Sequence, residues 1–180
     1  MIKNILNLGD AALYCDFGNE VNQEVNSNVI KYFYNIKELN IEGITNLTPS
    51  YNKLIISYDL NFHSFLSLKK KIEKIEIKKN TVLKKKIIEI PVCCENKFAL
   101  DIERIENKLK LKAELILEKF FSKNYFCYMT GFVAGMPFLG DLNQEMRLKR
   151  LETPRVKVPK GSVGITCLLY TSPSPRDNKA

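Results

Sequence analysis

The sequence predicts an α+β fold, and three features indicate it. Strand-like segments alternate with two amphipathic helical segments over about the first 78 residues. Apolar residues make up 45% of the 180 residues, enough to bury a core in one or two domains. No apolar run approaches the roughly 20 residues that a membrane-spanning helix requires, so we expect no integral membrane protein.

The elements of the first half follow from apolar spacing and turn residues. Val25, Val29 and Phe33 recur every fourth position, which is typical of one face of a helix. Ser64 precedes a second such stripe and is a predicted helix N-cap. The predicted strands are residues 11–17, 43–47 and 53–58, and the first predicted helix is residues 22–37. The resulting order, β-α-β-β-α, describes a small sheet with one face covered by helices.

The second half is less regular and follows a predicted linker at residues 78–86. Residues 101–120 have helical spacing that is interrupted enough to suggest two short helices. The predicted strands are residues 87–92, 125–130, 156–158 and 163–165, and residues 131–140 are a predicted loop.

The net charge of +8 comes mostly from one segment. Residues 69–86 contain nine Lys and two Glu, a net of 9 − 2 = +7. No aromatic residues interleave with these lysines to stack on bases, so a solvated helix face plus linker is favoured over a nucleic-acid or lipid surface. We therefore expect neither nucleic acid nor a membrane as a partner.

Cysteine and histidine usage excludes several kinds of site. The five cysteines are Cys15, Cys93, Cys94, Cys127 and Cys167. Their odd number and the absence of a CxxC spacing predict reduced thiols in a cytoplasmic protein, with no disulfide framework and no metal site. His63 is the single histidine, and its place at a predicted helix start indicates a surface or capping role.

The most distinctive segment is the glycine-rich stretch from Tyr128 to Gly140. Gly131, Gly135 and Pro137 lie within it, together with Phe132. Glycine permits close backbone approach, so such a loop is able to present N–H groups to an anion or an acyl group. On residue types alone, a structural crossover carrying aromatic side chains is the favoured alternative.

A second candidate segment, residues 153–164, surrounds Arg155. A guanidinium group binds carboxylate or phosphate through two parallel hydrogen bonds, and Lys157 or Lys160 would add charge. Gly161 and Ser162 follow in the same segment. A hairpin with exposed basic residues is an equally good interpretation.

Taken in order, these segments resemble the B subunit of bacterial 5-oxoprolinase, a family also called allophanate hydrolase subunit 1 that includes the kinase inhibitor KipI. The segments that carry the resemblance are residues 9–13, 17–18, 49–51, 54–59, 90–93, 128–140 and 153–165. The resemblance implies an N-terminal α+β domain at residues 1–80 and a cyclophilin-like β-barrel domain, incomplete here, at residues 87–166.

The resemblance also implies an activity and partners. It implies a complex with a homologous C subunit and a LamB/YcsF-type A subunit, which together open the lactam of 5-oxoproline to glutamate with ATP. A lactam amide is stable, so its opening needs phosphorylation and stabilisation of the developing charge. Arg155 is the candidate catalytic residue. The candidate substrate-binding residues are Tyr128, Gly131, Phe132, Gly135, Pro137, Gly161 and Ser162.

Two alternatives remain open within the same family. One is a KipI-like inhibitor that binds a sensor histidine kinase, and the other is a component of allophanate hydrolase or urea carboxylase chemistry. The motifs serve each of these functions, so the sequence does not separate them.

The C-terminal residues depart from the family. Residues 167–177 resemble the translation of a transposase-type sequencing adapter, and residues 167–180 are a predicted non-native tail. This interpretation predicts a C-terminally truncated second domain with unpaired strand edges and poor solubility.

Overall fold

A computed structural model describes residues 1–77, 86–149, 151–153 and 155–165 of the chain. It has a mixed α and β fold, as predicted, and all of its strand pairs are antiparallel. The strands are β1 (Asn4–Asn7), β2 (Ala12–Asp16), β3 (Ile44–Pro49), β4 (Lys53–Tyr58), β5 (Phe126–Thr130) and β6 (Pro137–Gly140). The helices are α1 (Gln23–Leu39), α2 (Phe65–Glu73), α3 (Ile102–Leu109) and α4 (Ala113–Phe121), with one 3₁₀ turn at Gln144–Met146.

Strands β1 to β4 form one antiparallel sheet in the order β1-β2-β4-β3. Alternate residues of β2 and β4 are buried, and Leu13 faces Ile56 while Cys15 faces Leu54 across the two strands. Because side chains alternate between the two faces of a strand, this register places all four on one face of the sheet. The sequence pattern predicted β2, β3 and β4 but missed β1.

Both N-terminal helices begin at polar caps that the sequence contains. The Asn22 side chain accepts a hydrogen bond from the Val25 N–H at 2.8 Å at the start of α1. Ser64 and Ser67 form a reciprocal capping box at the start of α2, as the prediction of a Ser64 cap implied. α1 ends at Asn40 in the left-handed region, a conformation that Asn tolerates.

The two helices cover the apolar face of this sheet. α1 packs against β3 and β4, and α2 packs against β2. Val29 and Ile36 of α1 and Leu68 and Ile72 of α2 are almost fully buried. The complete buried apolar cluster consists of Ile5, Leu13, Cys15, Phe17, Val29, Ile36, Leu54, Ile56, Tyr58, Leu68 and Ile72.

The chain divides into two compact units. The first contains Met1–Ile87 and Phe126–Gly140, so the β5–β6 hairpin belongs with the four-stranded sheet's unit. The second contains Ile88–Tyr125 and Asp141–Ala180, with α3 and α4. Compactness does not by itself define folding domains, so the boundaries predicted at residues 80 and 87 stay a prediction.

Three predicted strands are wrong. Residues 87–92, 156–158 and 163–165 have no strand conformation, and most of their apolar side chains are exposed, up to Val156 at 104%. A strand needs a neighbour to pair its N–H and C=O groups, and the described residues supply none here. No closed barrel forms within the described part of the chain, so the cyclophilin-like domain also stays a prediction.

The remaining predictions for these elements have mixed outcomes. The interrupted spacing of residues 101–120 is confirmed as two helices, α3 and α4. The predicted loop at residues 131–140 ends in strand β6, which pairs with β5. The linker 78–86, apart from Lys86, and the tail 167–180 lie outside the described residues.

His63 is not a surface residue. It is 6% exposed, and its Nε2 lies 2.8 Å from the carbonyl oxygen of Glu42. The prediction missed this because the sequence does not reveal that the residues before β3 fold back onto the turn before α2. His63 therefore joins two turns, and its partner among the described residues is a backbone carbonyl rather than a carboxylate or a nucleophile.

Within the described ranges, no helix is both long enough and apolar enough to cross a membrane.

Candidate functional site

The β5–β6 hairpin brings together five of the residues predicted to bind substrate. Tyr128 lies in β5, Pro137 begins β6, and Gly131, Phe132 and Gly135 lie in the connecting loop. The two strands pair from Phe126 opposite Gly140 to Thr130 opposite Pro137, with an irregularity in β5.

Tyr128 anchors this hairpin within the first unit. It is 3% exposed and stacks on Tyr51 with ring centroids 5.7 Å apart. Gly140 lies under the same ring, because a Cβ at that position would come within 2.6 Å of Tyr128 Cε2. Gly140 therefore permits a close approach that a larger residue would prevent.

Asn26 is a central polar residue of this anchor, and it was not predicted from the sequence. It is 2% exposed, and its side-chain Nδ2 donates to the carbonyl oxygens of Ser50 at 3.1 Å, Tyr51 at 2.9 Å and Tyr128 at 3.0 Å. One amide group thus ties α1, the β3–β4 turn and β5 together. The signal that could have found it was a polar residue between Val25 and Val29 on an otherwise apolar helix face.

The loop at the end of the hairpin is closed by its own backbone. The Gly131 N–H donates to the Met136 carbonyl, the Val133 N–H to Gly131 and the Met136 N–H to Val133, at 2.8–3.2 Å. These three N–H groups therefore do not face an anion. Phe132 is 90% exposed and has a left-handed backbone with φ of 66°, so the loop presents an apolar tip.

Arg155 lies in the second unit and is held by an ion pair. Its guanidinium NH2 group donates to Asp101 Oδ1 at 2.6 Å, and its side chain is 33% exposed. Asp101 is the residue before α3. Arg155 thus pairs with a carboxylate of its own unit, and its predicted role toward a substrate stays a prediction.

Gly161 and Ser162 form a tight turn in the second unit. The Ser162 N–H and hydroxyl both donate to the Pro159 carbonyl, at 3.2 and 2.7 Å, and Gly161 has φ of 81°. A positive φ at the third residue is typical of a type II turn and favours glycine. No hydrogen bond joins this turn to Arg155 in the described part of the chain, and Lys157 and Lys160 are exposed.

Three groups have perturbed pKa values, each with a local cause. Burial raises the pKa of the Cys15 thiol to about 12, which keeps it protonated and unreactive. Burial also raises the pKa of Tyr125, whose hydroxyl donates to the Phe120 carbonyl at 2.8 Å. For Asp16, burial acts to raise the pKa, but hydrogen bonds from Lys53 and the Gly18 N–H, together with the lysine charge, outweigh it and lower the pKa.

Among the described residues, no group of three His, Cys, Asp or Glu side chains is arranged to hold a metal ion. Cys15, Cys93, Cys94 and Cys127 are free thiols.

Comparison with known proteins supports one family. Residues 3–175 match the family described as carboxyltransferase domain, subdomain C and D. The chain is 32% identical over 173 residues to the 5-oxoprolinase B subunit of Bacillus subtilis, covering 89% of this chain and 72% of that protein. It is 38% identical over 78 residues to the 5-oxoprolinase B subunit of Haemophilus influenzae, covering 43% of this chain and 37% of that protein.

A solved structure has the same fold. The crystal structure of the protein TTHA0988 superposes on this chain with a TM-score of 0.71 and 25% sequence identity. The match covers 82% of this chain but only 29% of TTHA0988, which is a longer protein. The family match covers nearly the whole sequence, and the Bacillus subtilis relative is matched over more than two thirds of its length. The chain therefore belongs to the family of 5-oxoprolinase B subunits.

Proposed function

We propose that this chain is the B subunit of an ATP-dependent 5-oxoprolinase. In this proposal it works with a homologous C subunit and a LamB/YcsF-type A subunit to convert 5-oxoproline to glutamate. The observation that carries the proposal is the 32% identity to a protein named as a 5-oxoprolinase B subunit over 89% of this chain.

The exposed apolar side chains support a role inside a larger assembly. In the second unit, Ile88, Ile90 and Val158 are each more than 60% exposed. Apolar side chains this exposed are able to join a surface that another chain segment or another protein covers. The word subunit in the names of the relatives is consistent with such an assembly.

Arg155 is the residue of this chain that best fits the predicted charge stabilisation. Opening a lactam moves negative charge onto the carbonyl oxygen and, with ATP, onto transferred phosphate. A guanidinium that is one third exposed and already paired with a carboxylate has the right charge and donor geometry for such a group.

ATP enters this proposal as the source of the phosphoryl group that activates the lactam. The hairpin loop is a poor phosphate cradle, because the Gly131, Val133 and Met136 N–H groups are used within the loop. Arg155 is the group that we propose meets an anionic ligand. Its part is to bind and orient that anion.

The proposal is tested by reconstitution. The chain, co-expressed with the A and C subunits from the same genome, is expected to produce glutamate from 5-oxoproline only when ATP is present. Arg155→Ala is expected to lower the rate about 100-fold or more, as removal of one charge-stabilising donor typically does. Glutamate release and ADP formation are measured together.

A matched control separates the role of Arg155 from a general loss of charge. Arg147 is an exposed arginine of the same unit, and Arg147→Ala is expected to leave the rate within about twofold. An intact assembly in which Arg155→Ala stays fully active would contradict the assigned role. Failure of the wild-type assembly, together with inhibition of a sensor histidine kinase's autophosphorylation, would favour the KipI-like alternative instead.

A further inference from the structure

Two arginines of the second unit face a single carboxylate. Asp101 Oδ1 lies 2.6 Å from the NH2 group of Arg155 and 3.9 Å from Nε of Arg104. The side chains of all three residues are 33–39% exposed, so the cluster borders solvent. A ligand is therefore able to reach the cluster without unfolding of the unit.

The cluster carries one excess positive charge. Within the described residues, no carboxylate other than Asp101 lies within ion-pair distance of either guanidinium. One carboxylate thus partners two arginines, although a guanidinium group is able to bind a carboxylate by itself through two donors. The excess positive charge favours binding of a second anion beside Asp101, or of an anion that replaces Asp101 and lies closer to both guanidinium groups.

Arg104 shows directly that Asp101 satisfies the cluster incompletely. Its Nε–H is buried and has no hydrogen-bond partner among the residues that the structure describes, because 3.9 Å to Asp101 is too long for a hydrogen bond. A buried donor without a partner destabilises the structure and is rare in native proteins. An acceptor placed nearer to Arg104 would remove this penalty.

The Asp101 side chain is not held by helix α3. It precedes α3 at the N-cap position, yet its side chain makes no capping hydrogen bond to the helix. An Asp at this position usually accepts from the backbone N–H groups of the first turn, and those groups carry the positive end of the helix dipole. Asp101 therefore has an alternative set of donors one turn away when another anion binds the arginines.

We propose that Arg104 and Arg155 form a binding site for the carboxylate of a small molecule, and that Asp101 occupies this site when the ligand is absent. A carboxylate is favoured over other anions because the group now held by Arg155 is itself a carboxylate. Choosing 5-oxoproline as the ligand rests on the proposed function, whereas the site itself does not.

The first experiment measures binding to the full chain by titration. The probes are 5-oxoproline, inorganic phosphate, and 2-pyrrolidinone, which has the same lactam ring without a carboxylate. We expect 5-oxoproline to bind and 2-pyrrolidinone not to bind. In ¹H–¹⁵N spectra of the arginine side chains, the Nε–H signal of Arg104 is expected to shift on binding, since this proton gains an acceptor.

Variants of the three residues are expected to act in opposite directions. Arg104→Ala and Arg155→Ala should each weaken 5-oxoproline binding by about tenfold or more, because each removes a charged hydrogen-bond donor. Asp101→Asn and Asp101→Ala should strengthen it several-fold, because each removes the internal competitor. A merely structural salt bridge would not give tighter binding when its carboxylate is removed.

Two further variants serve as controls. Arg104→Lys keeps the positive charge but lacks the Nε–H, and it is expected to weaken binding nearly as much as Arg104→Ala. Glu145 pairs with Lys119 at 3.0 Å in the same unit, so Glu145→Gln removes a comparable carboxylate. This control is expected to leave binding unchanged, and circular dichroism spectra verify that each variant keeps its helices.

Several results would overturn the proposal. These are equal binding of 2-pyrrolidinone, or Asp101 variants whose affinity is unchanged or lower. Binding of phosphate without 5-oxoproline would also refute the carboxylate site, and it would leave Arg155 with only the phosphate contact of the proposed function. An assembly that hydrolyses 5-oxoproline while Arg104→Lys binds and reacts normally would refute this site and leave the proposed function standing. Conversely, if the chain binds 5-oxoproline at this site but its assembly has no oxoprolinase activity, the site would stand and the proposed function would be refuted.

Discussion

The two compact units of this chain differ in how completely their apolar side chains are buried. In the first unit, the sheet β1-β2-β4-β3 and helices α1 and α2 enclose one continuous apolar cluster. In the described residues of the second unit, Ile116 and Met146 are the buried apolar side chains, while Ile88, Ile90 and Val156 are mostly exposed. The first unit thus completes its own core, and the second presents strand-prone residues to solvent.

This difference follows from strand pairing. Each central strand of the first unit has neighbours on both sides, so its backbone groups are paired and its apolar face is covered. Residues 87–92 have equally apolar side chains, yet no described strand lies beside them. Apolar residues alone therefore do not make a core, because the partner strand must also be present.

The largest expected difference between the units concerns the same substitution at two isoleucines. Ile56→Ala should lower the free energy of unfolding by about 2–5 kcal/mol, because Ile56 is 0% exposed and its loss leaves a cavity. Ile88→Ala should change it by less than about 0.5 kcal/mol, because Ile88 is 68% exposed. Urea unfolding followed by circular dichroism measures both, and equal effects would contradict the comparison.

Asn26 offers the next largest effect, since it ties the hairpin to the first unit. Asn26→Ala removes the side-chain amide that donates to three backbone carbonyl oxygens. We expect this variant to lower the free energy of unfolding by about 2–3 kcal/mol. Amide hydrogen exchange of residues 126–140 should accelerate more than exchange in β2 and β4. The control is Asn46→Ala, because Asn46 is an exposed asparagine whose side chain donates to the Thr48 hydroxyl. This variant should change neither the free energy of unfolding nor the exchange rates appreciably. Unchanged exchange in the hairpin would show that Asn26 does not anchor it.

Two glycines give a matched test of packing. Gly140→Ala places a Cβ 2.6 Å from Tyr128 Cε2, so we expect a destabilisation of about 1–3 kcal/mol. Among the described residues, a Cβ at Gly164 in the second unit would have nothing within 4 Å, so Gly164→Ala should be nearly neutral. Thermal melts of both variants decide this. A neutral Gly140→Ala would mean that Tyr128 is not held against the β6 backbone.

The smallest effect concerns pH and the Asp16–Lys53 ion pair. The pKa of Asp16 is lowered in the folded state, so its stabilisation is complete above the unfolded pKa of about 3.9 and is lost as pH falls through the folded pKa. Asp16→Asn should lower the free energy of unfolding by about 1 kcal/mol or less at pH 7, and by less at about pH 2, where more of the carboxylate is protonated. The stabilities of both proteins, measured between these two pH values, should converge at the acid end, and a constant difference would contradict this assignment.

The sequence predicted the first unit well because its signals are local. Ser64 caps α2 and the apolar stripe of α1 faces the core, as the spacing indicated. β1 was missed because its four residues alternate weakly, with Leu6 half-exposed. The strands at residues 87–92, 156–158 and 163–165 were predicted from β-prone residues, but strand formation also depends on a distant partner.

For the candidate sites, the sequence determined residue types and the tertiary structure determined their neighbours. Glycines, Tyr128 and Arg155 stood out from composition and from the family resemblance. That Tyr128 is buried against Tyr51, that Asn26 binds its carbonyl, and that Arg155 reaches Asp101 depend on contacts between residues 54 to 102 positions apart. Such contacts form only when the backbone has folded, because local spacing carries no information about which distant segment will lie alongside.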